Sequence, residues 1–316
     1  MEALAKALSG VHVYPDGQCQ ELRSALAQRL DLARERILVT SGADEAFDLL
    51  AIAFLERGDE IVVGDPTFTS YELAALTMGA RVIKVPLKDY CQDLSAMREA
   101  VGERTKIVFV CSPLNPTGTA VERGEWEEFI SQLPPGVICL LDEAYVEYMD
   151  EEKRIDSLTY LDEFPFLVVA RTFSKIYGLA GLRVGYLLCS EEICKILERV
   201  KLPFNVNRLG QVAALAALRD EEHLRRSREV NREGRARIYR LLEELGFFYV
   251  PTQANFILVK EGSRDGLFQA LLQKGVIVRD GEPLGIPGHV RITIGNREQN
   301  DRLEEALRAI VSGAED

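Results

Sequence analysis

The chain has little positive charge, few histidines and a single tryptophan. It carries 38 lysines and arginines against 50 aspartates and glutamates, a net charge of -12 over 316 residues. That deficit argues against a phosphate-backbone partner, because nucleic-acid binding draws most of its affinity from clustered Lys and Arg. The three histidines, His12, His223 and His289, show no metal-ligand spacing. The six cysteines (Cys19, Cys91, Cys111, Cys139, Cys189, Cys194) include no CxxC pair. Several lie in apolar runs, so they read as small buried hydrophobes in a reducing compartment. No segment reaches the ~18 apolar residues that a membrane helix requires, and the start shows no basic region followed by an apolar stretch. A cytoplasmic protein is expected. No glycine-rich Walker or dinucleotide fingerprint occurs, which leaves no signal for a nucleotide.

What is there is an ordinary globular composition, 47% hydrophobic and 28% charged, long enough for two domains or for one large domain with an appendage. Seven short β-branched runs recur at residues 37–40, 60–65, 81–86, 106–111, 137–142, 166–171 and 184–189. Most are almost continuously apolar, as strands buried on both faces of a largely parallel sheet must be. Helical periodicity fills the gaps at 43–57, 71–77 and 122–132, which predicts a helix-covered α/β sheet. Beyond residue 200 the pattern changes to long helical stretches at 209–218 and 221–245. Strand-like runs at 255–259, 276–279 and 290–294 then flank a helix at 264–273, and a last helix spans 298–311. This tail predicts a small α+β domain packed closely on the first.

Chemistry concentrates at the expected strand ends. In Arg171-Thr-Phe-Ser-Lys-Ile-Tyr-Gly-Leu-Ala-Gly-Leu-Arg-Val-Gly-Tyr186, Lys175 follows a buried strand and precedes Gly178 and Gly181. A lysine on the carboxyl edge of a sheet can point into a cleft and attack a carbonyl if its pKa is lowered. Alone, it would be an ordinary surface charge. Ser174 and Arg183 flank it with a hydroxyl and a guanidinium, donors suited to a phosphate. Upstream, Ser41-Gly-Ala-Asp-Glu45 opens a helix after the first strand, so the amides near Ala43 and Asp44 can cradle an anion, although the same residues also make a common N-cap. Asp142 ends an apolar run, an expensive place for a carboxylate unless a cation such as a protonated ring nitrogen pairs with it. Tyr145, three residues on, and Asn115 in Ser112-Pro-Leu-Asn-Pro-Thr-Gly118 could both hydrogen-bond a ligand held there, and the Asn-Pro-Thr-Gly stretch also predicts a turn.

Taken in order, residues 112–118, Asp142-Glu-Ala-Tyr145 and residues 171–186 resemble the fold-type I aminotransferases of pyridoxal phosphate, and among them the histidinol-phosphate aminotransferase family. Tyr14-Pro-Asp16, residues 41–45, Asp65-Pro-Thr-Phe-Thr-Ser-Tyr71, Pro203-Phe-Asn-Val-Asn207 and Val290-Arg-Ile-Thr-Ile-Gly295 extend the resemblance over almost the whole chain. It implies a three-layer α/β/α large domain around a mostly parallel seven-stranded sheet, at residues 35–218. Residues 1–34 and 219–316 are then expected to form the small domain and its N-terminal segment.

By the same resemblance, Lys175 holds pyridoxal phosphate as a Schiff base and shuttles the substrate proton, Asp142 pairs with the pyridine nitrogen, and Asn115 and Tyr145 meet the phenolic oxygen. Phe68 stacks on the ring where most members carry tyrosine. Ala43, Asp44, Ser174 and Arg183 hold the phosphate, with Tyr14 reaching in from the second subunit of a homodimer. Arg291 is expected to take a substrate carboxylate, with Arg279 and Asn255 nearby. The implied activity is transfer of an amino group between L-histidinol phosphate and 2-oxoglutarate, a step of histidine biosynthesis. Aromatic amino-acid transamination, threonine-phosphate decarboxylation and a folded form without turnover remain as alternatives. The family carries an arm with an Asn-Glu-Asn-Pro stretch before the Tyr-Pro-Asp motif, whereas thirteen residues precede Tyr14 here. Either the start lies upstream, or a shortened form with altered substrate closure and dimer packing is expected.

Overall fold

The computed structural model of the protein describes residues 1–262 and 266–313. The apolar runs form β1 (Ile37–Thr40), β2 (Glu60–Asp65), β3 (Arg81–Pro86), β4 (Thr105–Cys111), β5 (Ile138–Asp142), β6 (Leu167–Thr172) and β7 (Gly185–Leu188). They make one sheet in the order β1-β7-β6-β5-β4-β2-β3. The pairs β3–β2, β2–β4, β4–β5 and β5–β6 are parallel, and only β7 runs against its neighbours β6 and β1. The parallel pairs need crossovers, which short helices supply, whereas β7 follows β6 through a compact loop and so returns antiparallel.

Alternation along the strands decides which helices each face receives. Leu38, Ile61, Val63, Ile107, Phe109, Leu140, Val168 and Leu187 point to one face. There they meet Phe47 and Leu50 of α3 (Gly42–Phe54), Tyr71 of α4 (Ser70–Thr77) and Leu197 of α8 (Glu191–Val200). Val39, Val62, Val108, Cys139, Leu141 and Val169 point to the other face. They pack on α2 (Gln20–Leu30), α5 (Leu94–Glu99), α6 (Arg123–Ser131), α7 (Ser157–Glu163) and α9 (Arg208–Leu218), with Trp126 of α6 fully buried at the centre. A short helix α1 (Glu2–Ala7) lies against α9.

The second body follows α10 (Glu221–Glu244). It is an antiparallel sheet in the order β10-β11-β9-β8, built from β8 (Tyr249–Val250), β9 (Phe256–Lys260), β10 (Arg279–Asp280) and β11 (His289–Thr293). One face is covered by α10, α11 (Leu267–Gln273) and α12 (Arg297–Ser312), with Ile238, Leu242, Ile257, Leu271, Val290 and Leu307 in its core. Among the described residues no helix is long and apolar enough to cross a membrane.

Three expectations shift. The run at 276–279 pairs only at Arg279–Asp280, because the Val276 amide turns back to the Leu271 carbonyl and closes α11 instead of joining a ladder. The helix expected at 264–273 begins at Leu267, and residues 263–265 lie outside the described residues. Residues 1–34, grouped in sequence with the small domain, instead send Cys19, Leu22 and Leu26 into the core under the seven-stranded sheet. An amphipathic helix settles on whichever apolar face lacks cover, and that face lies beside α9 and β1.

Gly185 marks a point where two backbones come together. A Cβ there would stand 2.7 Å from the Gly42 carbonyl carbon and 2.9 Å from the Ala43 nitrogen. Gly185→Ala should therefore push β7 off the start of α3 and destabilise the protein by about 1–3 kcal/mol, seen as a lower urea midpoint. Gly124→Ala, in the first turn of α6 with no atom within 4 Å of its new methyl, should leave the midpoint unchanged or raise it.

Candidate active site

The carboxyl ends of β4, β5 and β6 open into a pocket on the face covered by α3 and α4. In an open parallel sheet this is the edge where ligands bind, since loops leaving the strand ends can diverge around a crevice. β4 delivers Cys111, β5 delivers Asp142 and β6 delivers Thr172, each with the side-chain parity of that face. The segments that follow bring Asn115, Tyr145, Ser174 and Lys175. Ala43 and Asp44 at the start of α3, Phe68 before α4, and Arg183 complete the lining.

Asp142 lies at the floor and is almost wholly buried. The Tyr71 hydroxyl donates to its Oδ2 at 2.5 Å, and the Ala144 amide donates to its Oδ1 at 2.9 Å. Burial raises its pKa to about 6, with the Tyr71 and Ala144 hydrogen bonds and the Lys175 charge pulling the other way. Tyr71 is itself fully buried, stacked on Phe109 at 4.7 Å, and burial beside Asp142 holds its phenol well above the usual range. The Lys175 ammonium sits 5.1 Å from the centre of the Tyr145 ring, and burial lowers its pKa, opposed by Asp142 and reinforced by Arg291. A lysine so placed keeps a larger neutral, nucleophilic fraction than a surface lysine.

The opposite end of the pocket is built for an anion. No side chain caps the first turn of α3, and Gly42 takes φ +76, so the chain enters the helix with its first amides open. A Cβ at Gly42 would stand 2.4 Å from the Arg183 guanidinium. Arg183 donates to Ser174 Oγ at 3.3 Å and to Asp44 Oδ2 at 2.7 Å, and Ser70 Oγ donates to Asp44 Oδ1 at 2.8 Å. The Asp44 carboxylate thus holds Arg183 and Ser70 in place.

The small domain approaches this pocket through Arg291 of β11, which does not line it but bonds the lining residue Asn115. Its Nη1 donates to Asn115 Oδ1, its guanidinium lies 4.8 Å from the Phe256 ring centre, and burial lowers its pKa. Its Nε is buried without a hydrogen-bond partner among the described residues. Arg279 stands opposite Arg291 across the β10–β11 ladder and lowers its pKa further. Two neighbouring cations with an unpartnered N–H suit an incoming carboxylate.

Arg291, Arg279, Asn255 and Tyr14, all singled out in the sequence, are not among the residues that line this pocket. Asn255 gives its carbonyl to the Ile294 amide, tying β9 to the end of β11. Tyr14 is 76% exposed and stacks on Phe204 at 4.7 Å, outside the pocket of its own chain. Tyr71, Cys111 and Thr172 are the functional neighbours that the sequence reading did not assign. Tyr71 had a signal: it stands three residues after Phe68 at the opening of a helix, the spacing that puts two side chains on one face.

The family description "Aminotransferase class I and II" matches residues 1–307. A histidinol-phosphate aminotransferase of Moorella thermoacetica is 49% identical over 315 residues, 99% of this chain and 81% of the relative. The crystal structure of histidinol-phosphate aminotransferase from Sinorhizobium meliloti in complex with pyridoxal-5'-phosphate superposes with a TM-score of 0.92 at 27% identity, covering 99% of this chain and 87% of that one. L-threonine-O-3-phosphate decarboxylase from Porphyromonas gingivalis superposes with a TM-score of 0.83 at 26% identity, covering 98% and 94%.

The buried carboxyl makes a testable claim about pH. Asp142 binds its proton more tightly in the folded than in the unfolded chain. Its share of stability is therefore complete below a pH of about 4 and is lost as the pH rises through about 6. In protein stripped of small molecules, Asp142→Asn should gain on the parent by roughly 2–3 kcal/mol between pH 4 and pH 7, read from urea midpoints. A gap that stays constant over that range would contradict the burial of the charge.

Proposed function

The chain belongs to the class I and II aminotransferases, and on that premise we propose that it transfers the amino group of L-histidinol phosphate reversibly to 2-oxoglutarate, using pyridoxal phosphate held on Lys175. The observation that carries the cofactor assignment is Asp142. It is a buried pocket-facing carboxyl whose hydrogen-bond partners are a phenol and an amide, and a ring-nitrogen cation would balance its charge. The open first turn of α3 with Arg183 and Ser174 fits the phosphate of the same group. The 49% identity to a histidinol-phosphate aminotransferase supports the donor.

When bound, the cofactor supplies an electron sink that stabilises negative charge at the substrate α-carbon. The chain's own residues supply the rest. Asp142, ionised against the ring nitrogen, keeps the proton there. Asn115 and Tyr145, which line the pocket, would hydrogen-bond the phenolic oxygen, and Phe68 would offer an apolar ring face for stacking. Ala43 and Asp44 give backbone amides to the phosphate, and Ser174 and Arg183 give side-chain donors. Lys175 Nζ, lowered in pKa by burial, would hold the cofactor covalently and would carry a proton to and from the substrate α-carbon. Arg291, with Arg279 behind it and Asn255 holding the strand end, receives the carboxylate of glutamate or 2-oxoglutarate. Asn115 accepts from Arg291 and so links the cofactor side to the substrate side.

The assembly we propose is a homodimer in which Tyr14 of a second copy reaches the phosphate. The exposure of Tyr14 beside Val13, Leu202 and Phe204 supports this, since an apolar group of that kind favours cover. A cytoplasmic location agrees with six free cysteines. Similarity to a threonine-phosphate decarboxylase keeps one rival reaction in view, because the two chemistries use one fold.

The test is turnover by the cofactor-loaded protein with L-histidinol phosphate, L-phenylalanine and O-phospho-L-threonine in turn. Glutamate formed from 2-oxoglutarate, with the highest kcat/KM for histidinol phosphate, is expected. Release of carbon dioxide from phosphothreonine without an acceptor would replace the proposal. Lys175→Ala should abolish the absorbance of covalently held cofactor while the fold persists. Asp142→Ala should retain cofactor but lose about 100-fold or more in kcat, as lost electrostatic stabilisation of that kind does.

A further inference from the structure

Two motif residues remain without a part in this chemistry, Glu143 beside Asp142 and Arg171 at the end of β6. Side chains alternate across a sheet, so each points away from the pocket that its neighbour lines. Asp142 pairs with Ala170 in the β5–β6 register, and the Glu143 amide donates to the Ala170 carbonyl at 2.9 Å, continuing the ladder past the strand end. One step on, Arg171 Nε donates to Glu143 Oε2 at 2.7 Å. The side chains are only 13% and 3% exposed. Arg171 also donates to Ser157 Oγ of α7 at 3.4 Å. Glu147 adds a second carboxyl in the field of Arg171, raised to about 7 by burial with Arg171 pulling it down.

A buried ion pair is a poor device for stability alone, because desolvating both charges offsets most of their attraction, and apolar residues of like volume often serve as well. Its attested use is to fix a register. The register in question is the one that matters to the pocket, since β5 ends in Asp142 and β6 leads through Thr172 and Ser174 to Lys175. Those two groups must grip opposite ends of one rigid ring, so a small slip of β6 against β5 would misplace one of them.

We propose that Arg171 and Glu143 form a positioning lock behind the site, which fixes Lys175 against Asp142 and so sets cofactor affinity and turnover. The inference rests on the assignment of pyridoxal phosphate to Lys175. The lock touches neither cofactor nor substrate; it acts through the two strand ends. It also accounts for the placing of two costly charges on the face otherwise filled by Trp126, Leu141 and Val169.

The test compares four variants with the parent protein: Glu143→Gln, Arg171→Lys, the double variant Arg171→Met with Glu143→Met, and Lys175→Ala. Folding is read by thermal unfolding, cofactor dissociation by equilibrium dialysis, the pH midpoint of the bound-cofactor absorbance by titration, and kcat and KM separately. The double variant should fold with an unchanged or higher Tm. Its cofactor affinity and kcat should fall about 10–100-fold while KM for the amino donor stays near the parent value. Its absorbance midpoint should move by about one pH unit. Glu143→Gln, which keeps the acceptor for Arg171 Nε, should restore most of each quantity. A folded double variant with parental affinity, midpoint and kcat would overturn the lock. Should the double variant fail to fold, Arg171→Lys decides, because it keeps the charge and loses the fork. Weakened affinity with a moved midpoint supports the lock, and parental values overturn it. Covalent-cofactor absorbance persisting in Lys175→Ala would instead defeat the assignment of Lys175, and the dialysis affinities would still report on the lock.

Discussion

A carboxyl group carried into the interior at the end of a strand must be matched by cations or donors, or it gives up its charge. Asp142 meets that condition with a phenol, an amide and the nearby field of Lys175, and its pKa still rises to about 6. Much of the architecture can be read as the means of placing this one group. β5 lies in the middle of the sheet, covered on both faces, so its last residue is dry. α4 is short and turns Tyr71 inward between Phe47 and Phe109, where its hydroxyl reaches the carboxylate and its ring is locked by stacking. The cost of that arrangement falls on the folded chain alone, and the ring-nitrogen cation of the proposed cofactor would offset it on binding.

The two faces of the sheet divide the work. On the α3 and α4 face, the strand ends carry Cys111, Asp142 and Thr172 toward a ligand. On the opposite face, the alternate positions carry Glu143 and Arg171 toward each other. A shift of one residue in β6 would exchange these roles and turn Arg171 into the pocket. Precision in such a site comes less from the groups that touch the ligand than from the shell that leaves them no alternative position. Gly185 and Gly42 belong to that shell, since the absence of a side chain lets β7 press against the start of α3 and brings Arg183 over the first turn of the helix.

Legibility followed the physics of each signal. Buried parallel strands are nearly continuous apolar runs, so all seven could be placed from the sequence, and α10 with its charged face was equally plain. Short elements were not. α5 has six residues and β8 has two, too few for a period to show. The run at 276–278 looked like strand because Val-Ile-Val has strand composition, but its first amide is spent on closing α11, and Ile277 is left 84% exposed. In the site, Lys175, Asp142, Asn115 and Arg183 could be found because each motif placed a reactive or phosphate-binding group at a strand end or turn. The Arg171–Glu143 pair could not, because its meaning lies in a partner 28 residues away, and the spacing of Tyr71 from Phe68 pointed to a shared face but not to its partner 71 residues away. The placing of residues 1–34 was hidden for a similar reason. An amphipathic helix states that it has a partner but not which one.

The likeness to enzymes of two reaction types points to where selectivity must reside. Under the proposed function, Asp142, Lys175 and the open first turn of α3 would hold a cofactor that supplies an electron sink, and a sink alone does not choose which bond at the α-carbon breaks. That choice is stereoelectronic: the bond aligned with the ring's π-system is the one weakened, so the groups that orient the substrate decide the reaction. Under the proposed function those groups would come from the other body of the protein. Arg291 approaches the pocket from β11, its Nη1 held by Asn115 of the large domain, with Arg279 beside it and Phe256 under its guanidinium. Tyr90 and His289 make a second bridge between the same two bodies, two positions along β11 on the same side as Arg291. Under the proposed function, the orientation of the substrate would therefore be coupled to how the small sheet sits on the large one. Selectivity for one donor over another would then follow from interdomain geometry, and cofactor chemistry from the large sheet.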